Sequence, residues 1–165
     1  DRLVVAALYQ FTELSDLHKK KREILALCKS REVRGTLILA TEGINGTITG
    51  KTGSIKVVIE RICAWNEIED LDIKYSRSLG QNFNRIKVKI KKEIVTMGVS
   101  PINAGENAGT HVDAKDWNRL ISRKNVTLID IRNKFEIEVG RFKESINPET
   151  DSFSEFPNWV DQHSS

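Results

Sequence analysis

The sequence predicts a mixed α/β protein built in two parts, and three features support this prediction. Strand and helix patterns alternate through residues 3–95. The segment from Gly98 to His111 carries three Gly, two Asn and a Pro without apolar periodicity, which is typical of a linker. Residues 1–105 contain 18 Lys and Arg against 12 Asp and Glu, whereas residues 106–165 contain 8 against 11. The predicted order is a first domain, a linker and a second domain, over residues 1–98, 99–110 and 111–165.

The first strand and helix are indicated by a change in apolar period. The run LVVAALYQF (3–11) is continuous enough to be a buried strand. In the next segment four residues share one helical face: Leu17, Ile24, Leu25 and Cys28. Ser15 or Asp16 is the predicted N-cap of this helix. The basic run from His18 to Arg22 is expected on its solvated outer face.

A hairpin and a second helix follow. GTLILATEGINGTITG (35–50) contains two strand segments joined by EGING, and the Asn45-Gly46 pair predicts a tight turn there. Beyond it, SIKVVIERICAW spaces four apolar residues at helical intervals: Ile55, Val58, Ile59 and Ile62. Ser54 is the predicted cap of this second helix.

Two further strand patterns complete the first domain, DIKYSRS (72–78) and RIKVKIKKEIV (85–95). The resulting order, β-α-β-β-α-β with one extra strand, is that of the ferredoxin-like or acylphosphatase-like fold. The predicted fold class is therefore α+β in the first domain. In such a fold one face of the sheet is not covered by helices.

The last strand pattern places a row of cations on that uncovered face. Strand side chains alternate, so Ile86, Val88 and Ile90 point one way, and four cations point the other: Arg85, Lys87, Lys89 and Lys91. Neighbours in this row are about 6–7 Å apart, close to the spacing of phosphates along a nucleic-acid strand. Two interpretations stay open, contact with RNA phosphates and protection of an exposed sheet edge against aggregation.

The second domain begins like an α/β unit. HVDAKDWNRLISRKN predicts a helix capped by Asp113, and VTLIDI (126–131) predicts a central parallel strand buried on both faces. Open α/β sheets bind ligands at the carboxyl ends of their strands, which is where Asp130 and Arg132 stand. This pair is either part of a site or a scaffold ion pair.

Several function classes are excluded by what the sequence lacks. No apolar run approaches the roughly 18 residues of a membrane helix, and the N-terminal DRLVVAALYQF has no secretory signal pattern, so we expect a cytoplasmic protein. Cys28 and Cys63 fall in predicted helices, which argues against a disulfide framework or a metal site. A P-loop, a dinucleotide fingerprint and a facial metal triad are also missing.

Three segments carry a resemblance to a known family. TLIDIRNKFEIEVGRFKESINPETDSFSEFPNWV (127–160) resembles the N-terminal half of a rhodanese domain, with Asp-x-Arg at the strand end, a Glu, a Gly turn and a helix. EGINGT (42–47) and KVKIKKEIVTMG (87–98) add the features of one branch of that superfamily. Together they resemble the rhodanese-type tRNA uridine hydroxylases, in the family's order along the chain.

The resemblance implies a specific reaction. Members hydroxylate carbon 5 of the wobble uridine of tRNA, with dioxygen as co-substrate and a cysteine in the rhodanese active-site loop. That loop is expected after Ser165, so the 165 residues by themselves are predicted to be inactive. Cys28 and Cys63 lie in the wrong domain for that cysteine and are expected to be buried packing residues. The expected partner is tRNA, and neither a metal nor an organic cofactor is evident.

The resemblance also assigns supporting roles in the second domain. Arg132 is expected to brace the cysteine loop and Asp130 to fix Arg132. Glu136 either pairs with a basic residue of that loop or lies exposed on its helix. Two alternative functions remain, a sulfurtransferase that works through a cysteine persulfide, and a non-catalytic RNA-binding or regulatory module.

Overall fold

A computed structural model describes residues 3–77, 80, 83–95 and 109–163. The chain divides into two compact units, Asp1–Val95 and Thr96–Ser165. The predicted linker lies outside the described residues except for Gly109 and Thr110.

The first unit is a five-stranded sheet with two helices. Its elements are β1 (Leu3–Phe11), α1 (Leu17–Ser30), β2 (Arg34–Ala40), β3 (Gly43–Lys51), α2 (Thr52–Cys63), β4 (Asp72–Arg77) and β5 (Ile86–Ile90). The strand order is β4-β1-β3-β2-β5. All neighbours are antiparallel except β2 and β5, which are parallel. The predicted ferredoxin-like fold is confirmed, and the extra strand is β5, at one edge.

Both helices pack on one face of this sheet, because their apolar residues recur at helical spacing. The buried cluster is drawn from α1 (Ile24, Cys28), α2 (Ile55, Val58, Ile59, Ile62) and the sheet (Ala6, Leu8, Leu37, Leu39, Ile44, Ile48, Val88). Burying one Leu, Ile or Val side chain stabilises a fold by about 1.5–3 kcal/mol. The cluster therefore holds α1 and α2 against one face of the sheet, and neither of these two helices lies on the opposite face.

The hairpin turn lies four residues before its predicted place. Ala40 pairs with Gly43, so the two-residue turn is Thr41-Glu42 and the prediction at Asn45-Gly46 was wrong. A Cβ atom at Gly46 would lie 2.2 Å from the Thr36 carbonyl oxygen. Gly46 is thus required for close approach of β2 and β3, and the Asn-Gly pair marks strand packing instead of a turn.

The basic run of α1 was expected on the solvated face of the helix, but one of its residues, Lys20, is buried. Lys20 is 8% exposed, because its spacing of four residues from Ile24 puts it on the buried side of the helix. Its Nζ lies 2.6 Å from a Glu67 carboxylate oxygen and 5.6 Å from the centre of the Trp65 ring. Burial of the Lys20 ammonium group would oppose folding, and the ion pair with Glu67 and the cation–π contact with Trp65 offset this cost.

The helix caps also differ in detail. Asp16 precedes α1 as expected, but its side chain makes no capping hydrogen bond. The second helix begins at Thr52, so Ser54 lies inside it and the predicted Ser54 cap was wrong.

The second unit contains short helices. They are α3 (Ala114–Ile121), α4 (Lys134–Val139) and α5 (Phe156–His163), with a 3-10 turn at Phe153–Glu155. Residues 126–131 form no strand among the described residues, and only Ile129 makes a parallel bridge, to Ile146. A central strand requires hydrogen-bonded neighbours along its length. Residues 109–163 supply one bridge, so the expected burial on both faces is not reached. The rhodanese identity of this unit stays a prediction.

Among the residues that the structure describes, no helix has both the length and the apolar composition needed to cross a bilayer.

Candidate functional site

The sheet face opposite the helices carries mainly polar side chains, and we call it the open face. Strand register assigns its residues. They are Val5, Ala7 and Tyr9 on β1, Arg34, Thr36 and Ile38 on β2, Asn45, Thr47 and Thr49 on β3, Asp72, Lys74 and Ser76 on β4, and Lys87 and Lys89 on β5. The cations are concentrated at the β5 edge.

Two members of the predicted cation row, Lys87 and Lys89, lie on this open face. Lys87 and Lys89 are exposed, whereas Val88 between them is 6% exposed and belongs to the buried cluster. Arg85 and Lys91 flank the strand and are also exposed. Their backbones continue the pairing with β2, because the Gly35 N–H donates to the Arg85 carbonyl at 3.2 Å and the Lys91 N–H donates to Leu39 at 3.0 Å. All four cations therefore lie along one hydrogen-bonded edge, and we call them the cation row.

The segment that follows β5 is held at Ile94 by the EGING segment. The Ile94 N–H donates to a Glu42 carboxylate oxygen at 2.6 Å, and the Asn45 side-chain amide donates to the Ile94 carbonyl at 3.1 Å. Ile94 itself is 3% exposed. We call this arrangement the Ile94 clamp. Sequence reasoning missed it, since EGING was interpreted as a turn. The signal was two polar side chains, Glu42 in the turn and Asn45 on β3, in a segment otherwise made of Gly and Ile.

The amino end of β5 borders an open cleft. Five residues line it: Thr36, Phe83, Asn84, Arg85 and Lys87. Its volume is about 590 Å³. The Arg34 guanidinium donates to the Asn84 carbonyl oxygen at 3.3 Å, which ties the segment before β5 to β2. The cleft was not predicted, because Phe83 stands outside any periodic pattern in the sequence.

In the second unit Asp130 and Arg132 form a bidentate ion pair. The Arg132 Nε and Nη2 atoms donate to the two Asp130 oxygens at 2.9 and 2.7 Å. Nη2 also donates to the Gly140 carbonyl oxygen at 2.7 Å, which joins the pair to the end of α4. Hydrogen bonds from Arg132 hold the pKa of the Asp130 carboxyl below its ordinary value, although desolvation opposes them. Asp130 is thus a fixed anion that orients Arg132, and it is not poised for proton transfer.

Glu136 caps the helix in which it lies. Its carboxylate accepts a hydrogen bond from the Asn133 N–H at 3.2 Å, which completes a capping box at the start of α4. The capping bond occupies one of its oxygens, and pairing with a basic loop residue stays a prediction.

The two cysteines are not activated as nucleophiles. Cys28 is buried as predicted, and burial raises its pKa to about 12. Cys63 is exposed, so the prediction that it packs inside was wrong; it follows Ile62 on α2 and lies off the buried face. Partial desolvation nevertheless raises the pKa of Cys63. A reactive thiol needs a lowered pKa, which neither cysteine has.

Within residues 3–77, 80, 83–95 and 109–163, no three His, Cys, Asp or Glu side chains are grouped so as to hold a metal ion.

Comparison with known proteins identifies relatives of both units. The family model described as UPF0176 acylphosphatase-like domain matches residues 3–94. A tRNA uridine(34) hydroxylase of Mesorhizobium japonicum is 44% identical over 159 residues, which cover 96% of this chain and 52% of that protein. The protein of the same name from Agrobacterium fabrum is 45% identical over 157 residues, or 95% of this chain and 50% of its own length. The chain thus spans about half the length of the curated relatives it matches.

A solved structure of an acylphosphatase from Coxiella burnetii is also similar, with 8% sequence identity and a TM-score of 0.43 over 53% of this chain and 94% of that one.

Proposed function

The chain belongs to the UPF0176 acylphosphatase-like domain family, and we propose that its protein hydroxylates uridine 34 of tRNA. The observation that carries the proposal is the high identity to proteins named tRNA uridine(34) hydroxylase, which extends through both units. An alignment over the first unit alone would support a shared fold and little more.

In this proposal the first unit binds the RNA backbone. The cation row provides four positive charges on a single edge. The Arg34–Asn84 hydrogen bond before β5 and the Ile94 clamp after it hold the backbone that carries these charges. Lys and Arg that neutralise phosphates release counterions, so such a surface binds RNA with a strong dependence on salt. The edge-protection role remains compatible with this one, since lysines on β5 also discourage strand pairing with another molecule.

The second unit supports the catalytic loop in the proposal. Asp130 fixes the Arg132 guanidinium, and the remaining donors of Arg132 brace a rhodanese-type loop that follows residue 165 and carries the reactive cysteine. Dioxygen is the proposed co-substrate.

Chemistry at carbon 5 also requires that the base leave its stack, so the protein must hold an extruded uridine. Because tRNA is the substrate, the proposed location is the cytoplasm.

The two alternatives differ in what they leave unexplained. A sulfurtransferase that accepts a small sulfur donor has no need of a cation row on the first unit. Arg132 is oriented by the carboxylate of Asp130, which is only 6% exposed. A non-catalytic module has no need of an arginine held in this way.

A gene-deletion experiment separates these functions. Deletion in the organism that carries the gene should abolish wobble 5-hydroxyuridine, measured by mass spectrometry of tRNA nucleosides, and the complete gene should restore it. A complete gene with Arg132→Ala should restore it poorly. Unchanged 5-hydroxyuridine in the deletion strain would contradict the proposal. Loss of a thiolated nucleoside alone would favour the sulfurtransferase, and no change in any nucleoside would favour the module.

A further inference from the structure

The cleft at the amino end of β5 combines three kinds of chemistry in one place. Phe83 offers an aromatic ring, Arg85 and Lys87 offer positive charge, and Asn84 offers an amide with both a donor and an acceptor. The Thr36 hydroxyl forms part of the lining from the neighbouring strand. The volume of about 590 Å³ lies within the range of small-ligand sites, about 300–1,000 Å³.

The wall of the cleft is tied to the sheet. Arg34 binds the Asn84 carbonyl oxygen, and the Gly35 N–H binds the Arg85 carbonyl oxygen. Two successive residues of the wall are therefore hydrogen-bonded to β2. This pairing keeps the Phe83 side of the cleft next to the first two cations of the row.

We propose that this cleft holds one unstacked nucleobase of a single-stranded RNA segment, with Phe83 stacked on the base and Arg85 and Lys87 on the flanking phosphates. The proposal deepens the proposed RNA contact of the first unit and rests on it. An aromatic side chain beside a cationic track is the arrangement by which proteins hold single strands, because every base has a face that can stack.

An aromatic ring beside two cations favours binding of single-stranded RNA over binding of a duplex. Bases within an A-form helix are stacked on one another, and their faces are not available to a side chain. Only splayed nucleotides of a loop or an end can place a base against Phe83. The Asn84 amide then meets the edge of that base, whereas a duplex meets the cation row alone.

The test uses the 165-residue chain and two RNA probes of equal length, a single-stranded oligonucleotide containing 2-aminopurine and a duplex. Phe83→Leu removes the ring and keeps an apolar side chain. Phe83→Tyr keeps the ring. Tyr75→Leu is the matched control, because Tyr75 is an exposed aromatic residue on β4, the opposite edge strand. Lys87→Glu reports the ionic contact independently. Urea midpoints are measured for every variant.

We expect Phe83→Leu to weaken single-strand binding by roughly 5- to 150-fold, the range for loss of one stacked base, with no change in the salt slope. Quenching of 2-aminopurine should fall with it, and Phe83→Tyr should restore both. Duplex binding should not change. Lys87→Glu should instead lower the salt slope by about 1 with either probe.

Four outcomes overturn the inference. Wild-type affinity in Phe83→Leu, together with a loss in Lys87→Glu, removes the base site and leaves the RNA contact standing. Equal losses in Phe83→Leu for duplex and single strand, or equal losses in Tyr75→Leu, show that no base is held in the cleft. Absence of salt-dependent binding in the wild type removes the proposed RNA contact and the inference together.

Discussion

The two units of this chain bury apolar side chains to very different extents. The first unit contains the entire buried cluster, from Ala6 to Val88. Among the described residues of the second unit, Ile137 is the one large apolar side chain that is buried. Five others there are exposed: Ile131, Phe135, Val139, Phe142 and Ile146. Because burial of apolar surface is the main stabilising contribution to folding, most of the chain's stability resides in the first unit.

The difference also separates two ways of building a site. The first unit has a sheet whose edge is fixed by its own core, so the cation row is a preformed surface. The second unit has an Asp130–Arg132 pair whose geometry comes from hydrogen bonds to itself and to Gly140. A site of the first kind is rigid through packing, and one of the second kind depends on few polar contacts.

The largest expected effect is loss of a core side chain. Leu37→Ala removes a fully buried side chain of β2 and should lower the free energy of unfolding by about 2–5 kcal/mol. The matched variant Val139→Ala removes a side chain that is 90% exposed and should change it by less than about 0.5 kcal/mol. Urea denaturation measures both. Similar losses in the two variants would contradict the contrast between the units.

The Ile94 clamp should have a smaller effect. Glu42→Ala leaves the Ile94 N–H without its carboxylate acceptor and should cost about 1–3 kcal/mol. Glu42→Gln makes the same change of net charge but keeps an oxygen acceptor, so it should cost less. The same urea experiment applies, with hydrogen exchange of the β5 amides as a local measure. If Glu42→Ala and Glu42→Gln are equally destabilised, the loss of stability comes from the lost charge and not from the hydrogen bond of the clamp.

A pH dependence is expected from Glu67. Hydrogen bonds from Lys20 and then Ser15 lower its pKa to about 2. A lowered pKa in the folded state means that the carboxylate stabilises the fold above its ordinary pKa of about 4.5 and that this stabilisation disappears as the pH falls towards 2. Thermal unfolding between pH 6 and about 2 should therefore show a steeper loss in the wild type than in Glu67→Gln. Parallel curves would show that Glu67 contributes nothing to acid sensitivity.

The smallest effect on stability should come from the second unit's ion pair. Arg132→Gln removes the main cause of the lowered Asp130 pKa, so that pKa should rise towards its ordinary value. Carboxyl ¹³C NMR measures this shift directly. The melting temperature should change less than in Leu37→Ala, because the guanidinium is half-exposed. An unshifted pKa would mean that Arg132 does not hold Asp130 in solution.

Much of the first unit could be predicted from the sequence because its signals are local. Alternating apolar residues on β5 and helical spacing on α2 are direct consequences of strand and helix geometry, and the cations of the row follow from the same alternation. The resemblance to the hydroxylase family came from local motifs as well.

The errors arose where distant residues decide the structure. Lys20 looked like part of a solvated run, but Glu67 and Trp65, more than forty positions away, make its burial tolerable. Asn45-Gly46 matched a turn motif, but both residues have other roles. Gly46 allows the close approach of Thr36, and the Asn45 side chain donates a hydrogen bond to the Ile94 carbonyl oxygen. The apolar run over residues 126–131 predicted a strand, whose formation depends on neighbouring strands that residues 109–163 do not supply.

The cation row on β5 is proposed to bind RNA through its position on the sheet edge, and not through the total charge of the chain. The most direct measurement is tRNA affinity against salt concentration for two triple variants with equal charge change. Lys87, Lys89 and Lys91 become Glu in one. Three exposed α1 cations become Glu in the other, Lys19, Arg22 and Lys29. We predict that the first variant binds at least tenfold more weakly with a salt slope lower by about 2–3, and that the second stays close to the wild type. Equal losses in both variants would contradict the claim.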